Sequence, residues 1–157
     1  MSQKLMTAIS IWYFACTSRT IGLNSLPPCA LRISRRSITC RKDSRSANGS
    51  LTFQGAYATG GLGSGSGLGS QSAVLLTKNN QWLYAVNAGS NQVSAFAVNA
   101  NGLELVDVVD SGGVRPISLT VYKDWLYVLN AGDSGNISGF SIGQDGSLSA
   151  LAGSTQL

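Results

Sequence analysis

Arg115, in the sequence SGGVRP at residues 111–116, is the side chain most suited to binding an anionic substrate. It is the only arginine after residue 45, and a guanidinium group can hold a carboxylate or a phosphate through two parallel hydrogen bonds. The alternative is a surface arginine that pairs with an acid such as Asp110 or Asp133. The sequence leaves both interpretations open.

Groups that could move a proton are scarce in this chain. It contains no histidine, which excludes a serine–histidine–aspartate triad and an HExxH zinc site within it. Cys16, Cys29 and Cys40 have no CxxC spacing, so we predict no metal and no cofactor. We assign no catalytic base among the acids after residue 45, most of which fall on predicted outer strands or turns: Glu104, Asp107, Asp110, Asp124, Asp133 and Asp145.

A Gly/Ser tract, GGLGSGSGLGS at residues 60–70, resembles a phosphate-binding loop only in composition. It contains no GxGxxG pattern and no following lysine, so it fits neither a dinucleotide fingerprint nor a Walker loop. A flexible connection between two structural units is the favoured interpretation. A loop whose backbone amides approach a bound anion is the alternative.

Net positive charge is confined to the first 45 residues. They hold eight Lys or Arg residues and one acid, whereas residues 46–157 hold three bases and six acids. Nucleic-acid binding requires a cluster of basic side chains, so we predict no nucleic-acid partner. The apolar run at residues 5–16 is too short to cross a bilayer, so we also predict no membrane-spanning segment.

Residues 1–45 differ from the remainder and are predicted to form a separate leader. Lys4 and the apolar run that follows resemble a secretory signal peptide, whereas the later arginines and serines are typical of an organelle transit peptide. A third possibility is a disordered extension or an artefact of the gene model. The location of the protein depends on this choice: secreted, organellar, or cytoplasmic if the leader is an artefact.

One sequence unit occurs twice in residues 46–157. WLYAVNAGSNQVSAF at residues 82–96 returns as WLYVLNAGDSGNISGF at residues 125–140, with Trp82, Asn87 and Gly89 recurring 43 positions later. A repeat of this length indicates a solenoid or a propeller. Asn87 and Asn130, each in an N-A-G sequence, are interpreted as turn residues, because asparagine tolerates left-handed backbone; donors aimed at a ligand are the alternative.

Apolar residues alternate with period two between turn signals, which predicts strands rather than helices. We expect an all-β fold: a β-propeller fragment of about two four-stranded blades plus one extra strand that begins near residue 48. Asn-Gly and Asp-Gly pairs mark the hairpin that ends each unit. The predicted strands are 72–77, 81–87, 92–98 and 103–109 in the first blade and 117–122, 125–130, 136–142 and 147–152 in the second.

Two blades cannot close a ring, and a blade needs neighbours on both broad faces. Residues 46–157 are therefore interpreted as part of a longer propeller. Open blade edges and apolar faces favour association, so we expect the isolated chain to self-associate.

The W-L-Y-x-x-N-A-G strand, the N/D-G-x-L hairpin, the tract running into GSQSAVLLT, and SGGVRP resemble the lactonase-type seven-bladed β-propeller family over residues 46–157. That family includes 6-phosphogluconolactonase-like proteins and carboxymuconate cyclases. The resemblance implies opening or closing of a lactone, with a small anionic lactone or sugar acid as substrate. By position it implies that Arg115 and Gln71 bind substrate. The alternative function is a non-enzymatic scaffold that binds a ligand or a protein.

Overall fold

The computed structural model describes residues 16–19, 37–70 and 72–157, all of whose regular elements are strands. They form three antiparallel sheets. The first contains β1 (Cys16–Arg19), β2 (Ser37–Arg45) and β3 (Leu51–Leu62). The second contains β4 (Val74–Leu76), β5 (Trp82–Asn87), β6 (Gln92–Asn99) and β7 (Gly102–Asp110). The third contains β8 (Pro116–Tyr122), β9 (Trp125–Asn130), β10 (Asn136–Ile142) and β11 (Leu148–Ala150).

The second and third sheets are the two predicted blades, called blade 1 and blade 2 below. Each is a meander in which every strand pairs with its neighbour in sequence, and the eight predicted strands are confirmed to within two residues at each end. The hairpin signals are confirmed as well. Gly49 and Gly146 have positive φ in the turns before β3 and β11, and Gly102 has positive φ as the first residue of β7. Glycine adopts this conformation without steric cost.

The first sheet is larger than the single extra strand expected from the sequence. The predicted strand is β3, and β2 pairs with it along most of its length. Thus residues 37–45, on the leader side of the predicted boundary, form a hairpin with residues 51–62. We did not predict β2 because its sequence, SITCRKDSR, is basic and lacks the alternation of apolar residues that indicates a strand.

The rest of the leader, residues 1–15 and 20–36, lies outside the described residues, and so do the features on which the targeting alternatives depend. The division of the chain at residue 45 stays a prediction. In the ranges that the structure describes, there is no helix long and apolar enough to cross a membrane.

The three sheets are stacked face to face, with blade 1 in the middle. Residues of alternate parity along its strands point to opposite sides, as the pleat requires. Buried side chains on one side of blade 1 pack against the first sheet: Leu83, Ala85, Phe96 and Leu103, with Cys40. Buried side chains on the other side pack against blade 2: Tyr84, Val86, Val93 and Ala95, with Leu119, Leu126, Val128, Phe140 and Leu148.

Tyr84 joins the two blades through its hydroxyl group as well as its ring. The hydroxyl donates a hydrogen bond to the carbonyl of Gly146 in the last hairpin of blade 2 (3.1 Å). Burial, followed by the nearby Asp145 carboxylate, raises the pKa of Tyr84 well above its usual value. The side chain therefore stays neutral and keeps its donor.

Equivalent residues of the two blades have different environments. Tyr84 and Val86 of β5 are almost completely buried, whereas Tyr127 and Leu129, their equivalents in β9, are 36% and 41% exposed. Blade 2 covers the side chains of β5, and no described sheet covers the same face of β9. Trp125, Tyr127, Leu129 and Ile137 are called the open face of blade 2 below.

Candidate functional site

Arg115 lies at the end of the connection that leads from β7 into β8, the innermost strand of blade 2. The equivalent connection into β4 of blade 1 is the Gly/Ser tract and the residues after it. Both connections therefore lie at the same end of the stack, together with the loops after β5 and β9. The candidate substrate-binding residues were predicted from the sequence to lie at this end of the stack.

The backbone of Arg115 is held in a strained conformation. Its φ is +57°, and left-handed backbone costs a residue with a side chain roughly 1–2 kcal/mol. Hydrogen bonds fix it from both blades. The Arg115 N–H donates to Asn91 Oδ1 in the loop of blade 1 (2.8 Å), and the Arg115 carbonyl accepts from the Ala131 N–H in the loop of blade 2 (3.0 Å).

Two neighbouring bonds complete this clamp. The Ser111 N–H donates to the Asn91 carbonyl (2.8 Å), and the Gly132 N–H donates to the Val114 carbonyl (2.8 Å). Asn91 thus binds both ends of the connection, through its carbonyl and its side chain. Sequence analysis did not identify Asn91, because nothing in the repeat distinguishes it from an ordinary loop residue.

The Arg115 side chain is exposed at this end of the stack. Within the described ranges its guanidinium group forms no ion pair with a carboxylate at 4.0 Å or less. Asp110, one of the two acids suggested as its partner, instead accepts a hydrogen bond from the Gly112 N–H (2.8 Å). Within the described residues, the backbone of Arg115 is thus fixed while its guanidinium group carries no ion pair.

Asn87 and Asn130 have a structural role that differs from the expected turn. Both side chains are buried, and neither residue has the positive φ for which asparagine was invoked. Asn87 donates through Nδ2 to Ser94 Oγ (2.7 Å), which donates to the Thr59 carbonyl of β3 (2.6 Å). The expectation of left-handed turns at these two positions was therefore wrong.

The same arrangement recurs in blade 2. Asn130 Nδ2 donates to the Ser111 carbonyl (3.1 Å) and to Asn136 Oδ1 (2.7 Å), and Ser138 Oγ donates to the Gly112 carbonyl (3.2 Å). In each blade the asparagine and the serine thus tie the second and third strands to the end of the preceding outer strand. Asn130 supports the connection that carries Arg115. The Oδ1 atoms of Asn87 and Asn130 are buried without a hydrogen-bond partner in the described part of the chain.

The glycine of each N-A-G sequence is required by close packing. A Cβ atom at Gly89 would overlap the carbonyl oxygen of Gly63, and one at Gly132 would overlap the side chain of Val114. Neither glycine has positive φ. The repeated motif therefore supplies a buried amide and a position without a side chain, against which the connection from the previous sheet packs.

The Gly/Ser tract connects β3 to β4, as the favoured interpretation predicted. Its start is fixed by hydrogen bonds from the Leu62 N–H to Ser90 Oγ (3.0 Å) and from the Gly89 N–H to the Leu62 carbonyl (2.8 Å). Gln71, the second predicted substrate-binding residue, lies outside the described residues. Its role stays a prediction.

Carboxylates are not gathered around Arg115 in a way that identifies a base. Asp107 accepts a hydrogen bond from the Leu148 N–H between the blades (3.2 Å). The side chain of Ser147 donates to Asp145 (2.6 Å) and, with the Ser147 N–H, lowers the pKa of that exposed carboxyl. Asp107 thus stabilises a contact between the blades, and Asp145 stabilises a turn. In the described ranges, no group of Cys, Asp and Glu side chains is arranged to hold a metal ion.

Three antiparallel sheets stacked as blades, with an arginine presented beside an innermost strand, define a β-propeller segment with a candidate anion-binding site. The family model described as "Lactonase, 7-bladed beta-propeller" matches residues 41–157. The chain belongs to this family, and the match begins within β2. No curated protein sequence matches the chain significantly.

Solved structures of several bacterial proteins share the fold. A protein from Lactobacillus plantarum has a TM-score of 0.62 and 22% identity, with 75% of this chain and 36% of that chain covered. The periplasmic gluconolactonase of Pseudomonas aeruginosa has a TM-score of 0.60 and 19% identity, with 80% and 39% covered. A candidate 6-phosphogluconolactonase from Bacteroides fragilis has a TM-score of 0.59 and 14% identity, with 93% and 42% covered. The chain thus spans less than half of each of these structures.

Proposed function

We propose that this chain forms part of a lactonase that acts on a small lactone of a sugar acid, and that Arg115 binds the anionic group of the substrate. The observation that carries the proposal is the clamped, left-handed backbone of Arg115. An outlier of this kind costs free energy and persists only where its surroundings fix it. Here hydrogen bonds from both blades hold the backbone that carries the exposed guanidinium group, which has no ion pair with a carboxylate of the described residues.

Family membership supports the reaction class. A lactone is hydrolysed by an activated water, and its ring oxygen or carbonyl oxygen becomes negatively charged along the way. The guanidinium group can orient the acid or phosphate of the substrate, but it remains protonated and cannot accept a proton. The inner strands, β4 and β8, carry no carboxylate, so the base is expected outside them.

Replacing Arg115 with glutamine is expected to weaken the binding of a phosphorylated sugar acid roughly ten- to a hundredfold, since a charge-assisted hydrogen bond is worth about 1.5–3 kcal/mol. Isothermal titration of the purified chain with 6-phosphogluconate measures this change. Wild-type affinity should also fall as salt rises. Arg115→Lys should retain charge attraction but lose the bidentate geometry, and should bind with intermediate affinity.

Lys78 is exposed in the turn after β4, at the end of the stack opposite to Arg115. Lys78→Gln is therefore the matched control, because it removes one positive charge away from Arg115. It should bind the sugar acid like the wild type. Equal affinities for the wild type and Arg115→Gln would contradict the assignment of Arg115. An equal loss in both variants would show that only net charge matters.

The purified chain alone is expected to show no lactonase turnover above the uncatalysed rate, since Arg115 binds an anion but supplies no base. Hydrolysis of 6-phosphogluconolactone, followed by proton release in weakly buffered solution, tests this. A rate that depends on enzyme concentration and disappears in Arg115→Gln would show that a base is present in the chain.

A non-enzymatic scaffold is the second candidate function, and the open face of blade 2 favours it. Its aromatic and aliphatic side chains offer a contact surface that needs no chemistry. If the chain is a scaffold, Arg115 variants should leave its association with partners unchanged, whereas variants in the open face should abolish it.

A further inference from the structure

A cavity of about 960 Å³ opens between the two blades at the end of the stack opposite to Arg115. It is lined by the ends of the inner strands β4 and β8 and by the turns that follow them. Because β8 is seven residues long, the cavity lies about 20 Å from Arg115, at 3.3 Å per residue. It is therefore separate from the candidate substrate site.

The charge of the cavity is positive. Lys78 and Lys123, two of the three basic residues after residue 45, both line it, together with a single acid, Asp124. Neither ammonium group forms an ion pair within residues 37–70 and 72–157. Lys123 Nζ lies 5.4 Å from the ring centroid of Tyr122, which leaves its donors available to an incoming anion.

Aromatic and aliphatic side chains provide the remaining walls. Trp82 is half-buried and packs against Gly146, where an added Cβ would overlap the indole ring. Leu75, Val121 and Ile142 also line the cavity. Because Gly146 has no side chain, the indole ring packs directly on its backbone, and this close contact restricts the movement of the ring. A ring fixed in this way is suited to contact a planar ligand.

Ordered polar groups lie at the rim. Asn79 accepts a hydrogen bond from Thr77 Oγ1 (2.6 Å) and donates one to Gln81 Oε1 (2.6 Å), which fixes the turn that carries Lys78. A concave site that combines apolar walls with polar groups able to orient a ligand is the usual form of a small-molecule site.

We propose that this cavity binds a small anion with a planar ring, of the aromatic carboxylate class. Lys78 and Lys123 hold the carboxylate, and Trp82 and Tyr122 contact the ring. Two positive charges on adjacent blades converge on one ligand, so an occupied site also links blade 1 to blade 2. The proposal does not depend on lactonase activity.

Saturation-transfer difference NMR on the full chain, with benzoate as the probe, tests the site at any oligomeric state. The variant Lys78→Gln/Lys123→Gln should bind benzoate roughly tenfold more weakly, because charge-assisted contacts to the carboxylate are lost. Benzyl alcohol, which keeps the ring and lacks the charge, should bind the wild type about as weakly. Both lysines are exposed, so the double variant is expected to fold.

Arg115→Gln is the matched control and should bind benzoate like the wild type. Saturable binding that is lost in the lysine variant and kept in Arg115→Gln supports the proposal. Three results would overturn it: no saturable binding of benzoate, undiminished binding by the lysine variant, or a loss confined to Arg115→Gln. The first two results leave sugar-acid binding at Arg115 untouched, so the two proposals fail separately.

Discussion

Replacing Gly89 with alanine is expected to lower the free energy of unfolding of the chain by about 2–4 kcal/mol. The added methyl group would overlap the carbonyl oxygen of Gly63 and lie 2.6 Å from its carbonyl carbon. Backbone atoms cannot rotate away as a side chain can, so the loop after β5 or the start of the Gly/Ser tract must move. Either movement also weakens the hydrogen bond from the Gly89 N–H to the Leu62 carbonyl.

Urea denaturation at a fixed protein concentration measures the loss. Gly67→Ala is the matched control within the same connection, because a Cβ at Gly67 meets nothing within 4 Å and its φ is not positive. That variant should unfold at the same urea concentration as the wild type or slightly higher. If Gly89→Ala were as stable as Gly67→Ala, the close approach of the two segments would be refuted.

Charging the open face of blade 2 is expected to convert a self-associating chain into a monomer. The corresponding face of blade 1 packs against blade 2, and burial of one large apolar side chain contributes about 1.5–3 kcal/mol. In a purified sample, the molecule available to cover Trp125, Tyr127 and Leu129 is a second copy of the chain. The double change Tyr127→Lys and Leu129→Lys places two ammonium groups in that contact, where burying an unpaired charge costs several kcal/mol.

Sedimentation velocity over a range of protein concentrations distinguishes the outcomes. Wild-type sedimentation should rise with concentration, whereas the double variant should sediment as a monomer throughout. The control is Asn101→Lys/Gln144→Lys in the exposed turns before β7 and β11, which adds the same charge away from the open face and should leave association unchanged. A wild-type chain that remains monomeric at all concentrations would contradict the expected association.

The spacing of turn residues and apolar residues was sufficient to locate the strands of both blades. Period-two alternation and positive-φ glycines are local properties, so they can be recognised without knowledge of the contacts. Arg115 was found in the same way, since it is the only arginine after residue 45 and stands before an inner strand. Its fixed backbone was not predictable, because the clamp depends on Asn91, which lies 24 residues earlier in the chain.

The repeated motif shows most clearly what sequence and tertiary structure each determine. W-L-Y-x-x-N-A-G identified an architecture, and its local pattern determined where β5 and β9 begin and end. Only the stacking of the sheets decided that Asn87 and Asn130 are buried donors rather than turn residues. Asn87 donates to Ser94, which bonds to the preceding sheet at Thr59. Asn130 donates to Ser111, in the connection from the preceding sheet. Stacking likewise buries Tyr84 and exposes Tyr127. The two tyrosines have the same local sequence, and they differ because burial is decided by whether another sheet lies against the strand.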